Sequence, residues 1–276
     1  MQNIDEYANT GNSTNNSLLI GFKHQMSHQF MFDAEFNYAK TMDTGSGPFF
    51  QSQYPYLPYL AYGRSDFNYG KALKIYGLWQ PKFFHGNALL SKVADGWSLS
   101  GIFNLHTGFP FTPTYNVPGG NLYYAASGYN TLRPASYNGG AKHGSSNDAF
   151  ENGKPNLNFP AAGPNQPYFT APVAPTAGSS GFASGLPQLP GIARNSFNGP
   201  GYKDVDATLT KSFGLPKARI IGEDAAIEIR ADAFNLFNNI NLTPSTVVTN
   251  IEVTNFGQAT SGLSGRIVNL QARFSF

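Results

Sequence analysis

The sequence predicts an all-β chain whose strands form an antiparallel transmembrane β-barrel wall carrying long external loops. Three observations predict it. Seven windows of about ten residues alternate apolar and polar side chains, and about ten residues is the length a tilted membrane strand needs. The connections between them alternate short and long. Only 12% of residues are charged, against roughly 25% in ordinary soluble domains. Aromatics reach 14%, with 23 Phe and 15 Tyr. Many Asn, Ser, Thr and Gln beside many aromatics suit a sheet with lipid on one face and water on the other.

The first window, Ser17–Met26, sets Leu18, Ile20 and Phe22 opposite Gly21, Lys23 and Gln25. The second, Gln29–Lys40, sets Phe30, Phe32, Ala34, Phe36 and Tyr38 opposite Asp33, Glu35 and Asn37. Only Ser27 and His28 separate the two, so a tight hairpin joins them. The third, Lys71–Pro81, has Leu73, Ile75, Gly77 and Trp79 opposite Lys74, Tyr76 and Gln80. The fourth, Trp97–Thr107, has Trp97, Leu99, Phe103 and Leu105 opposite Ser98, Ser100, Asn104 and His106. In the fifth, Tyr202–Phe213, Val205, Ala207 and Leu209 oppose Asp204, Asp206, Thr208 and Thr210. In the sixth, Ala225–Phe237, Ile227, Ile229, Ala231 and Ala233 oppose Glu228, Arg230 and Asp232; the alternation slips near Asn235, as at a bulge. The seventh, Arg266–Phe276, sets Val268, Leu270, Ala272, Phe274 and Phe276 opposite Asn269, Gln271, Arg273 and Ser275.

The expected organisation is an external loop remnant over 1–16 and a partial barrel over 17–276, with long loops at about 41–70, 108–201 and 238–265. If the last strand descends to the periplasm, every long connection falls outside and every short one inside, the bacterial barrel pattern. The 108–201 loop holds 13 of the 19 prolines and reads as an external cap, with a short hairpin expected around Leu122–Tyr129.

Other classes fit poorly. The net charge of +2, with no basic run, argues against nucleic acid. Cysteine is absent, which removes disulfides, thiolate metal sites and thiol catalysis. No apolar run approaches the roughly 18–20 residues of a membrane helix. Residues 1–16 have neither a basic nor an apolar region of a secretory signal, so the export signal is expected upstream.

Alternation also suits a soluble β-sandwich, for instance a carbohydrate-binding module. Against it, sandwich strands usually run five or six residues, whereas these run to about ten or more. Aromatics sit near strand ends (Trp79, Trp97, Tyr38, Phe213) as interfacial girdles do. The sequence closes on Phe274 and Phe276, the pattern that barrel-assembly machinery reads.

Five segments, in order, carry a family likeness: SLLIGFKHQMSHQFMFDAEFNYAKTMD, ADGWSLSGIFNLHTGFPFTPT, RNSFNGPGYKDVDATLTKSF, IEIRADAFNLFNNINL and FGQATSGLSGRIVNLQARFSF. Together they resemble the C-terminal barrel of TonB-dependent receptors, in particular the Oar-like branch whose N-terminus carries a carboxypeptidase-regulatory-like domain. The resemblance spans roughly Ser17 to Phe276 and rests on the ordered set rather than on one motif. It implies a barrel of about 22 strands, of which this chain holds about the last third. It also implies an upstream plug and a TonB-contacting segment. The expected role is the barrel wall of an outer-membrane receptor for energy-coupled uptake of a bulky solute, in a Gram-negative-type bacterium. The expected partners are outer-membrane lipid, the barrel-assembly machinery, the upstream barrel and plug, and the TonB complex through the N-terminal part. Seven strands cannot close a barrel, so the chain alone is expected neither to fold stably nor to transport. A surface or adhesion barrel is the alternative.

The candidate site residues form a lumen-facing polar ladder. Glu228, Arg230 and Asp232 fall on one strand face, and Asn269, Gln271 and Arg273 offer partners if the register allows. Tyr54, Tyr56, Tyr59 and Tyr62 form an aromatic-rich loop and are candidate ligand contacts. The five histidines (His24, His28, His85, His106, His143) show no metal-ligand spacing. No nucleophile elbow, Walker loop or dinucleotide fingerprint is present. No catalytic residue, metal or cofactor is therefore expected, and the chain does not read as an enzyme.

Overall fold

A computed structural model describes residues 9, 11–27, 29–47, 58–83, 91, 94–116, 131–133, 136–137, 169–170, 192–215, 225–250, 253 and 256–276. The strands are β1 (Ser13–Ser27), β2 (Phe30–Asp43), β3 (Gly63–Arg64), β4 (Lys71–Trp79), β5 (Trp97–His106), β6 (Pro110–Phe111), β7 (Tyr115–Asn116), β8 (Thr131–Leu132), β9 (Ser136–Tyr137), β10 (Phe169–Thr170), β11 (Phe197–Asn198), β12 (Tyr202–Gly214), β13 (Ala226–Phe234) and β14 (Ile267–Ser275). The seven alternating windows correspond to β1, β2, β4, β5, β12, β13 and β14.

These strands lie side by side in that order in one antiparallel sheet of eight strands, the eighth being β3 on the far end of β2. The path is a meander, each long strand pairing with the next one, and it leaves β1 and β14 as its two edges. Gln29 makes the first hairpin turn with φ 66°, a left-handed conformation. Two boundaries depart from expectation. Ser13–Asn16, expected in the loop remnant, are strand and pair with Asp43–Lys40 of a β2 that runs three residues longer than the alternation suggested. At a polar rim a ladder needs hydrogen bonds but no apolar face, so the pattern does not mark it. At the other boundary, β13 does not bulge at Asn235 but stops at Phe234. Asn235 and Asn238 take φ 50° and 53°. The Asn235 carboxamide accepts from the Asn239 amide at 2.9 Å and donates to the Asn239 carbonyl at 2.8 Å. That hydrogen-bonded turn explains the slipped alternation.

The register stacks like with like across the sheet. One row runs Phe22, Ala34, Ile75, Phe103, Val205. A second runs Phe30, Trp79, Leu99, Leu209, Ala231, Leu270. On the opposite face, Gly21, Glu35, Lys74, Asn104 and Asp204 form a row. Leu78, Ser100, Thr208, Asp232 and Asn269 form another. Among the described residues no second layer covers the apolar face: Ile229 is 49% exposed, Phe274 49% and Leu270 77%. A sandwich would bury these side chains. A continuous apolar face of this extent is foreign to a water-soluble monomer and natural against hydrocarbon. Trp79, Trp97, Phe213 and Phe274 sit at the short-turn end of that face, all exposed, as an interfacial girdle requires.

The compact core lies elsewhere, at the long-loop end. Phe111, Phe197, Leu242, Val247, Phe256 and Ala259 pack together, with Tyr137 and Ile240 against them. They come from the two loops that the sequence presents as unpatterned. β6 pairs with β11, and isolated bridges join Leu242 to Gly262, Val247 to Ala259 and Thr114 to Asn250. The loops therefore fold onto one another as a cap. Where they cross, a Cβ on Gly108 would stand 1.9 Å from the Gly199 carbonyl oxygen, so only glycine allows the approach. The hairpin expected around Leu122–Tyr129 lies outside the described residues.

Candidate functional site on the polar face

The expected ladder exists as a register. Glu228 stands opposite Arg273, Arg230 opposite Gln271 and Asp232 opposite Asn269, on one face of β13 and β14. The closest contacts run along and inward from β13. Arg230 Nε donates to both carboxylate oxygens of Asp232 at 2.8 and 3.0 Å. Thr208 Oγ1, on β12, donates to the same carboxylate at 2.6 Å. Asp232 is buried by these partners, while the Arg230 side chain stays half exposed. An ion pair so open to water adds little stability; it holds a carboxylate and a guanidinium in fixed places on a hydrated wall. Further across the same face, Tyr76 donates to Asp33 at 3.0 Å and Lys23 lies 3.9 Å from Asp33. The polar wall therefore runs the width of the sheet.

A second polar assembly, invisible to strand periodicity, ties the cap to β2. The Arg194 guanidinium pairs with the Asp43 carboxylate, both nearly buried, and lies 3.3 Å from Asp66. It also donates to the Ala61 carbonyl at 2.9 Å and the Asp43 carbonyl at 2.8 Å. Arg64 Nε donates to the Asn195 carbonyl at 2.6 Å and its Nη2 to the Phe197 carbonyl at 3.0 Å. Burial lowers the Arg64 pKa from its ordinary value. Asn195, at φ 54°, returns a bond from its amide nitrogen to the Arg64 carbonyl at 2.8 Å. Two arginines thus bond main-chain carbonyls where the cap segments meet the end of β2. A signal was present in the sequence: no charged residue separates Lys154 from Arg194, so a lone cation ahead of Phe-Asn-Gly-Pro-Gly has a local duty.

The apolar face carries one further residue that periodicity passed over. Lys211 shares the side of Leu209, yet its ammonium is directed to the short-turn end, donating to the Asp95 carbonyl. It lies 5.1 Å from the Trp97 ring and 5.0 Å from the Phe213 ring. The side chain is buried there, its charge met by a carbonyl oxygen and two ring faces rather than by open water.

Of the four loop tyrosines, Tyr59 and Tyr62 are exposed near the 3-10 turn Pro58–Ala61; Tyr54 and Tyr56 lie outside the described residues. Phe274 and Phe276 stack with ring centroids 5.6 Å apart, both exposed. His106, which showed no metal spacing, joins an aromatic group: it stacks on Tyr202 at 5.1 Å and meets Tyr69 at 5.2 Å.

Compared with protein families, residues 1–269 match the model described as outer membrane beta barrel domain. The chain matches neither a curated protein nor a solved structure.

Proposed function

The chain belongs to the outer membrane beta barrel domain family, and from that premise we propose that it forms the C-terminal wall of a TonB-dependent receptor that imports a bulky solute. The observation that carries this reading is the two-sidedness of one open sheet. Its apolar face is bare and aromatic-rimmed, and its polar face carries the Glu228–Arg273, Arg230–Gln271 and Asp232–Asn269 pairs, with Glu228 partly open and Arg230 open to water. A wall of this kind lines a hydrated passage. In this reading the long-loop end with its cap is extracellular, and the short-turn end is periplasmic. Backbone groups at the edges β1 and β14 go unpaired in lipid unless further strands take them up, so the proposal includes additional strands and a plug upstream. Energy coupling through that upstream part supplies the directionality that a static wall lacks.

The test is solute uptake by cells expressing the full-length protein, with and without a collapsed inner-membrane proton gradient. Coupled import stops when the gradient collapses. Surface binding that persists unchanged, with no gradient-dependent uptake, would instead support an adhesion barrel.

A further inference from the structure

At the long-loop end of the polar face, away from the ladder, the structure holds a cleft of about 210 Å³. Its wall is the strand pair β1 and β2, which contribute Asn15, Ser17 and Asn37, and its rim is the returning segment with Phe67, Asn68 and Tyr69. The register explains the wall: Asn15 faces Thr41, Ser17 faces Ala39 and Leu19 faces Asn37, so the small polar side chains fall on one side at successive pairs. The rim is anchored through Asn68, which is 5% exposed. Its Oδ1 accepts the Thr41 amide at 2.7 Å, and Thr41 Oγ1 donates to Asn15 Oδ1 at 3.1 Å. With Asn68 held down, the neighbouring Phe67 ring stands 69% exposed and Tyr69 is also open to solvent.

The chemistry of this lining is narrow. It consists of carboxamides, hydroxyls, aromatic rings and the Ala39 methyl, with no carboxylate, ammonium or guanidinium among the lining residues. A charged ligand finds no counter-charge there. A purely apolar ligand would cover amides without bonding them, which costs free energy. The ligand that matches both amides and rings carries hydroxyls around a ring with an apolar C–H face. The volume equals that of about seven waters at ~30 Å³ each, room for a single sugar ring. Beyond the cleft, Tyr69 leads to His106 at 5.2 Å and His106 to Tyr202 at 5.1 Å, the latter pair inclined by only 12°. Stacking faces therefore continue across the rim from β2 toward β12.

We propose that this cleft is a binding subsite for one residue of a neutral saccharide, with Asn15 and Asn37 bonding its hydroxyls and Tyr69 or Phe67 covering its ring face. The proposal rests on the reading of the polar face as the wall of a passage, and it names the class of solute met at the mouth. Sugars of surface lipids lie on the other side of the wall, so a solute from the medium is the occupant.

The experiment is saturation-transfer difference NMR on the full-length protein in detergent micelles, with glucose, galactose and maltose as probes and glucuronate as the charged control. Binding of at least one neutral sugar is expected, with glucuronate bound at least tenfold more weakly. Asn37→Ala and Tyr69→Ala should each weaken it tenfold or more, while Ser98→Ala, at the short-turn end of β5 and outside the cleft lining, leaves it unchanged. Heat-modifiable gel mobility of every variant reports the folded barrel separately. Folded protein that binds no neutral sugar, or binds one equally well in all three variants, overturns the subsite and leaves the barrel reading intact. Loss of heat-modifiable mobility in the unaltered protein overturns the barrel reading itself.

Discussion

Ile229 and Gln271 sit one register step apart on β13 and β14, on opposite faces of the sheet. An arginine at a lipid-facing position near the midplane costs about 2–4 kcal/mol in barrels. Ile229→Arg should therefore lower the yield of membrane-inserted protein in a bilayer-folding assay, whereas Gln271→Arg should insert normally. Equal behaviour of the two variants would reverse the face assignment. Arg194 makes a second residue-scale case. Removing it leaves the nearly buried Asp43 carboxylate without its cation, and breaking a buried pair in this way costs about 3–5 kcal/mol. Arg194→Ala should open the cap to limited proteolysis at protease levels that spare the unaltered protein, with heat-modifiable mobility retained. Arg194→Lys should protect only partly, because one ammonium cannot reproduce a guanidinium fork serving Asp43, Asp66 and two carbonyls.

The individual strands explain what was legible and what was not. β4, β5, β12, β13 and β14 were readable within one to three residues at each end because two different solvents impose period two on every side chain. The first four residues of β1 were not, because above the membrane both faces are wet and polar. The ladder was readable because strand parity alone decides which residues share a face, and the register then brings Arg273 opposite Glu228. The cap and the cleft were not, because their bonds join distant segments. Arg64 meets Asn195 across 131 positions and Arg194 meets Asp43 across 151, and only the fold-back of Asn68 onto Thr41 makes a rim. The end of β13 carries its own prediction. Asn235→Ala removes two hydrogen bonds and sets a Cβ-bearing residue without a compensating side chain at φ 50°. A loss of about 1–3 kcal/mol is expected, seen as a lower denaturation midpoint in detergent. Asn235→Gly should lose less, since glycine accepts that conformation freely.

At the scale of the whole molecule, the chain inverts the usual plan of a folded domain. Its large apolar surface lies outside, most charges of its long strands fall on the opposite face, and, among the described residues, its compact hydrophobic cluster sits in the cap. That plan is stable where hydrocarbon meets one side of the sheet and water the other, and where strands beyond β1 and β14 take up the edge hydrogen bonds. No cysteine of this chain competes for a label, so the two-sidedness of the wall is directly measurable. Single cysteines placed in turn from Ile227 to Asp232 of the full-length protein in lipid vesicles, with any cysteine outside this chain replaced by serine, can each carry a spin label. Their collision rates with oxygen, which partitions into hydrocarbon, and with a water-soluble nickel chelate then report each side chain's surroundings. A strict period of two is expected, with oxygen favoured at 227, 229 and 231 and the chelate favoured at 228, 230 and 232. Labels at 227, 229 and 231 shielded from both reagents, or a profile without alternation, would contradict it.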